Sequence, residues 1–129
     1  MPLFLDTTVL IDVLRGRPAA ERLRAMRGEE EPPFICAINV EEIARGIRPR
    51  ERTALARLVD GLRIVPLGRE EGERAGRWRR DYAARGVTLT QADCLIAAAA
   101  VTAAARLATG NPKDFPMKEA RVEHWPVGR

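Results

Sequence analysis

Aromatic side chains are scarce: Phe, Trp and Tyr make up 5% of the 129 residues. A core must therefore come from Leu, Ile, Val and Ala. There is a single histidine, His124, near the C-terminus. That argues against a histidine-based triad and against a histidine metal cage. The two cysteines, Cys36 and Cys94, lie in apolar runs with no Cys or His at zinc-ligand spacing. They read as buried free thiols in a reducing compartment. The longest apolar run, Cys94 to Ala105, is rich in alanine and too short to span a membrane. The opening residues Met1 to Asp6 meet an acid at once, unlike a secretory signal. Repeats, linkers and low-complexity stretches are missing as well. The expectation is a soluble, cytoplasmic protein.

What is present suits one globular unit, expected to span residues 1–129 as a single domain. The hydrophobic fraction is 46%, and 22 Lys and Arg outweigh 18 Asp and Glu to give a net charge of +4. A basic balance is compatible with a polyanionic partner but identifies none.

Short apolar runs alternate with helical patterns. Leu3-Phe4-Leu5 reads as a buried strand ending at Asp6. A helix follows from Thr8, with Val9, Leu10, Val13 and Leu14 inward, and Gly16 stops it. Pro18 opens a second helix, striped by Ala19, Ala20, Leu23 and Met26 and ended by Gly28. Glu29 to Pro33 reads as a solvated loop. Phe34 to Ala37 is the next strand, and a helix opens near Asn39 with Val40, Ile43, Ala44 and Ile47 inward. A helix over Arg50 to Asp60, a strand over Leu62 to Pro66 and a longer helix over Arg69 to Arg85 follow. Thr90 starts an apolar helix carrying Asp93. Arg106 to Thr109 is a fourth strand, and Arg121 to His124 reads as an edge strand. The alternation predicts an α/β domain whose mostly parallel sheet is covered on both faces.

In such sheets ligands bind beyond the carboxyl ends of the strands. Asp6 ends the first strand. Glu42 lies one turn into the helix after the second, and Asp93 in the first turn of the apolar helix. Asn111 and Asp114 follow the fourth strand. Each acid has a plain alternative. Asp6 could cap its helix, Asn39-x-x-Glu42 and Thr90-x-x-Asp93 fit a capping-box spacing, and Asp114 could be a loop acid. Capping does not explain why Asp6 and Asp93 are set in apolar sequence, where an unpaired carboxylate is costly. A divalent cation relieves that penalty. Carboxylate oxygens suit Mg²⁺ or Mn²⁺, and such an ion assists phosphodiester hydrolysis.

Four stretches then resemble the motifs of PIN domains, in family order and across nearly the whole chain. Asp6-Thr7-Thr8-Val9-Leu10-Ile11-Asp12 resembles the first and Glu42-Ile43-Ala44-Arg45-Gly46 the second. Ala92-Asp93-Cys94-Leu95-Ile96-Ala97-Ala98 resembles the third, and Thr109-Gly110-Asn111-Pro112-Lys113-Asp114-Phe115 the fourth. The size, and the two-helix arrangement near Pro18 to Gly28, resemble VapC toxins. The resemblance implies a three-layer α/β/α sandwich and an endoribonuclease dependent on Mg²⁺ or Mn²⁺. It also implies a homodimer and inhibition by a VapB-type antitoxin. Asp6 and Asp93 would be the primary metal ligands, and Glu42 would bind through water or orient the attacking water. Asp114 and Asn111 would complete the site or serve a second ion. Many relatives carry Asp where Asn111 stands, which leaves the number of ions open. Thr8 would hold a carboxylate or a phosphate by its hydroxyl.

Arg45, Arg48, Arg50 and Arg52 cluster after the Glu42 helix and could track an RNA backbone, or simply form a solvated basic turn. Glu73, Arg77, Asp81 and Arg85 read as one salt-bridged helix face. Trp78 and Tyr82 fall at core spacing. Two rivals stand beside the nuclease. An aspartyl-phosphate phosphatase would use Asp6 as nucleophile, but Thr8 stands where its second Asp is expected. A catalytically degenerate PIN fold would bind RNA or antitoxin without turnover.

Overall fold

The computed structural model describes residues 1–26, 28 and 31–128. Of the expected loop from Glu29 to Pro33, Glu29 and Glu30 lie outside the described residues. Strands and helices alternate along the chain: β1 (Leu3–Leu5), α1 (Thr7–Leu14), α2 (Pro18–Ala25), β2 (Phe34–Cys36), α3 (Ala37–Gly46), α4 (Arg52–Asp60), β3 (Arg63–Val65), α5 (Arg69–Ala83), α6 (Gln91–Thr102), β4 (Arg106–Thr109) and β5 (Arg121–His124). Single 3₁₀ turns, Pro49–Glu51 and Pro112–Asp114, precede α4 and follow β4.

The five strands form one sheet in the order β3-β2-β1-β4-β5, and every pairing is parallel. Side chains alternate across the sheet, and the strand residues sort accordingly. Leu3, Leu5, Ile35 and Ala108 face a cluster with Val9, Leu10, Ala19, Ile43 and Leu55 from α1 to α4. Phe4, Cys36, Val65 and Leu107 face Ala75, Trp78, Cys94 and Ile96 from α5 and α6. The result is the expected three-layer α/β/α sandwich. Phe4 and Leu5, neighbours in sequence, are both fully buried, one in each layer. Each side chain of that size stabilises the fold by about 1.5–3 kcal/mol.

Local signals explain most boundaries. Pro18 is the first residue of α2, where its fixed φ fits and its missing N–H is not needed. Gly86 takes a φ of 79° just past α5, the left-handed conformation that ends helices. At the end of α6, Ala104 adopts φ 52°, and the Ala105 N–H reaches back to the Ala100 carbonyl at 3.0 Å. That is a Schellman closure made without glycine. Ala97 to Ala100 are all buried, so α6 is enclosed as its composition implied.

Two expectations are corrected. The helix expected near Asn39 begins at Ala37, with Cys36 as its N-cap and Asn39 as its third residue. The face expected to link Glu73, Arg77, Asp81 and Arg85 pairs differently. Glu73 takes Arg69 and Asp81 takes Arg80, while Arg85 stacks over Tyr82 at 4.2 Å. Exposed ion pairs are nearly isoenergetic, so spacing alone does not choose between partners. Among the described residues no helix is long and apolar enough to cross a membrane. Both cysteines are free and buried.

Candidate active site

From β1 the chain moves first to β2 and β3 on one side, then crosses to β4 on the other. The reversal puts a topological switch point at the carboxyl ends of β1 and β4, where open parallel sheets form their ligand crevice. Asp6 ends β1, and its N–H donates to the Ala108 carbonyl of β4 at 2.9 Å. Its side chain is 5% exposed. Asp6 holds the N-cap position of α1, yet its side chain makes no capping bond. Instead its Oδ2 accepts from the Thr109 hydroxyl at 2.7 Å and the Thr8 hydroxyl at 3.0 Å. The capping alternative for Asp6 therefore fails.

The other acids approach from three further elements. Glu42 is half-buried in α3 and accepts the Thr7 hydroxyl on Oε1 at 2.7 Å. Asp93 is half-buried in the first turn of α6, where its backbone N–H donates to Thr90 Oγ1 at 3.1 Å. Here the Thr90 cap is real, and the Asp93 carboxylate lies near enough to Asp6, Asp114 and Glu42 to feel their charges. Asp114 is exposed in the 3₁₀ turn after β4.

Electrostatics ties the four together. Burial, with the charges of Asp6, Asp114 and Glu42 adding to it against the Thr90 hydrogen bond, pushes the Asp93 carboxyl up to about 6. Burial also raises Asp6, with Asp114 adding to it against the hydroxyls of Thr109 and Thr8. Among the described residues, no ion pair reaches any of the four. The charges of Asp6, Asp114 and Glu42 thus act on Asp93 with no ion pair among the described residues to offset them. As they stand, no three Asp, Glu, His or Cys side chains among the described residues are grouped closely enough to hold an ion. The donor chemistry fits a hard divalent cation; the present spacing does not enclose one.

Of the residues that aim these acids, sequence reasoning named Thr8 and missed Thr7 and Thr109. Thr7, Thr8 and Thr109 follow one rule. Each hydroxyl accepts an N–H: from Asn39 Nδ2 at 3.1 Å, Gly110 N at 3.0 Å and Asn111 N at 3.0 Å respectively. Each then has its single proton free for a carboxylate. Thr8 thus holds a carboxylate, one of its two expected roles. Asn111 is exposed and enters through its backbone. A pair of threonines after Asp6 and one beginning the fourth motif were the available signals.

Among the described residues, no ion pair joins the predicted RNA-binding arginines to the four acids. Arg45, Arg48, Arg50 and Arg52 are exposed at the end of α3 and the start of α4. Arg45 is tied to Glu41 at 3.1 Å.

This combination, a parallel three-layer sandwich with Asp6 at the end of β1 and Asp93 under the charges of Asp6, Asp114 and Glu42, defines a class. The family model described as PIN domain matches residues 3–119, and the chain belongs to the PIN-domain family. Within it the similarity runs to VapC proteins. Ribonuclease VapC10 of Mycobacterium tuberculosis is 33% identical over 117 residues, covering 91% of this chain and 88% of the relative. Ribonuclease VapC19 of the same species is 34% identical over 115 residues, covering 88% and 91%. The fold also matches VapBC2 from Rickettsia felis, solved bound to a promoter DNA fragment. The TM-score is 0.84 at 21% identity, covering 97% of this chain and 99% of the other. A toxin–antitoxin complex from Klebsiella pneumoniae gives 0.75 at 26% identity, covering 97% and 98%.

Proposed function

We propose that this chain is an endoribonuclease dependent on Mg²⁺ or Mn²⁺ and the toxin of a VapBC-type pair. The observation that carries the reading is the shared crevice. Burial and neighbouring carboxylates raise the proton affinity of Asp6 and Asp93, and among the described residues no ion pair reaches either. Mutual repulsion opposes their closer approach until positive charge arrives. A bound divalent ion would supply Lewis-acid stabilisation of the phosphoryl oxygens and a more acidic water.

The chain's own residues do the rest. Asp6 and Asp93 are the principal ligands in this reading, one locked by two hydroxyls and one held at a helix start. Glu42, aimed by Thr7, orients the attacking water or binds through it. Asp114 and Asn111 border the site and complete it. The exposed guanidinium groups of Arg48 and Arg50, with Arg45 and Arg52 beside them, meet the phosphate backbone of RNA. The named relatives are ribonucleases and the structural neighbours are toxin–antitoxin complexes. They support RNA as substrate and a VapB-type antitoxin as partner; a homodimer and a cytoplasmic setting belong to the same reading.

A second reading has one observation in its favour. With no three acids among the described residues gathered around an ion position, a PIN fold that binds without turnover is the rival. Incubation with structured RNA separates the two. The nuclease reading expects cleavage lost in EDTA, restored by Mn²⁺ and absent in Asp6→Asn. Cleavage that persists in EDTA or in Asp6→Asn overturns the metal-site assignment.

A further inference from the structure

Asn39 belongs to none of the four motifs, yet its side chain is fully buried and every polar atom on it is used. Its Oδ1 accepts the Cys36 N–H at 2.8 Å. Its Nδ2 donates to the Leu5 carbonyl at 3.3 Å and to Thr7 Oγ1 at 3.1 Å. One amide thus joins the last residues of β1 and β2 to the first residue of α1.

The bonding allows one orientation. Flipping the amide would set two donors against the Cys36 N–H and an acceptor against the Leu5 carbonyl. With Nδ2 fixed toward Thr7, the Thr7 hydroxyl receives one N–H. Its proton then goes to Glu42 Oε1, 2.7 Å away. Thr8 and Thr109 are fed by backbone N–H groups, which the fold supplies whatever the side chain. Thr7 is fed by the side chain of Asn39, and a substitution can remove it.

We propose that Asn39 is a positioning residue of the cleavage site, acting through the Thr7 hydroxyl to hold the Glu42 carboxylate toward Asp6 and Asp93. The inference rests on the reading of the crevice as a metal site. A cap-only role for Asn39 would serve α3 and the β1–β2 joint alone. Positioning makes a separate demand: metal affinity must change where stability has been accounted for. Partners behind metal ligands typically shift affinity by about 10- to 100-fold.

The test is Mn²⁺ binding to the metal-free protein, read as free Mn²⁺ by electron paramagnetic resonance, with thermal melting alongside. All binding is measured at least 15 °C below each variant's melting midpoint. Asn39→Ala and Thr7→Val are each expected to weaken Mn²⁺ binding about tenfold or more. The double variant should bind no more weakly than Thr7→Val alone, because the two act in series. If Asn39→Ala does not fold, Asn39→Ser replaces it, keeping a polar group near the Cys36 N–H while falling short of Thr7. A folded Asn39 variant that melts lower but binds Mn²⁺ like the wild type reduces Asn39 to a cap and overturns the proposal. Additive losses in the double variant break the series through Thr7 and overturn it too. Wild-type protein that binds no Mn²⁺, or Asp6→Asn that binds it equally well, defeats the metal-site reading itself and is a distinct result.

Discussion

Buried and half-buried acids occur in two regions of this molecule, and they are treated in opposite ways. On the flanks each acid is answered by donors. Asp12, 2% exposed in α1, accepts the N–H groups of Ala19 at 2.8 Å and Gly128 at 2.9 Å. Glu71 accepts the Thr102 hydroxyl at 2.6 Å and the Gly68 N–H at 2.7 Å, and these bonds hold it below the usual carboxylate range. Glu123 takes Trp125 Nε1 at 2.8 Å, with Arg106 and Arg22 in ion pairs, and it too is held low. In the crevice the acids receive hydroxyls and each other's repulsion, and Asp6 and Asp93 are raised. An acid whose charged form is favoured by the fold holds the fold. An acid whose charge is penalised is kept for something else.

The largest expected effect comes from the crevice. Asp6→Asn keeps the size of the side chain and removes its charge. Cleavage should fall by at least about a thousandfold, which is about 4 kcal/mol of transition-state stabilisation. Melting in EDTA should be unchanged or higher, because a desolvated, repelled charge has gone. Saturating Mn²⁺ should raise the melting midpoint of the wild type by binding linkage and leave Asp6→Asn where it was. A large loss of stability in EDTA would place Asp6 with the flank acids and erase the contrast.

The second effect comes from the flank. Asp12→Ala strands two N–H groups, at the start of α2 and in the C-terminal tail, that a charged acceptor had satisfied. The expected cost is about 3 kcal/mol, read from urea unfolding. Cleavage measured well below the midpoint should stay within a fewfold of wild type. Asp12 lies in the same short stretch as Asp6, so the pair is a stringent test: one motif, one residue for chemistry and one for stability.

How far the sequence could say this depends on the distance over which each partner is chosen. Strands, helices, both sheet faces and the places of Asp6, Glu42, Asp93 and Asp114 on these elements were legible, because period-two and period-3.6 patterns and strand ends are local signals. The start of α3 was not. Asn39 is a good capping residue and Cys36 a poor one, so local preference pointed to the wrong N-cap. The structure overrides it because the Asn39 amide is held by β1 and Thr7, more than thirty residues away. Thr109 reaches Asp6 across 103 residues, and no spacing rule encodes that. Asp12 read as part of a motif and gave no hint that Gly128 would close on it. Which acids would be answered by donors was therefore invisible until the chain was folded.

The smallest effect sharpens the comparison by its sign. Glu71 has a folded value below its ordinary 4.5, so the folded state favours its charged form. Its stabilisation is present above that ordinary value and is lost as the pH falls through the folded one. Glu71→Gln should therefore melt lower than wild type at pH 7 and converge with it on acidification toward pH 3. Asp6 and Asp93 carry the reverse sign. Because their folded values are raised, their charged forms weaken the fold at neutral pH, and protonation removes that penalty. Melting curves taken in EDTA at several pH values should give a gap that narrows with acid for Glu71→Gln. If the gap were constant with pH, Glu71 would act only through the shape of its side chain, and charge would not be what distinguishes flank from crevice.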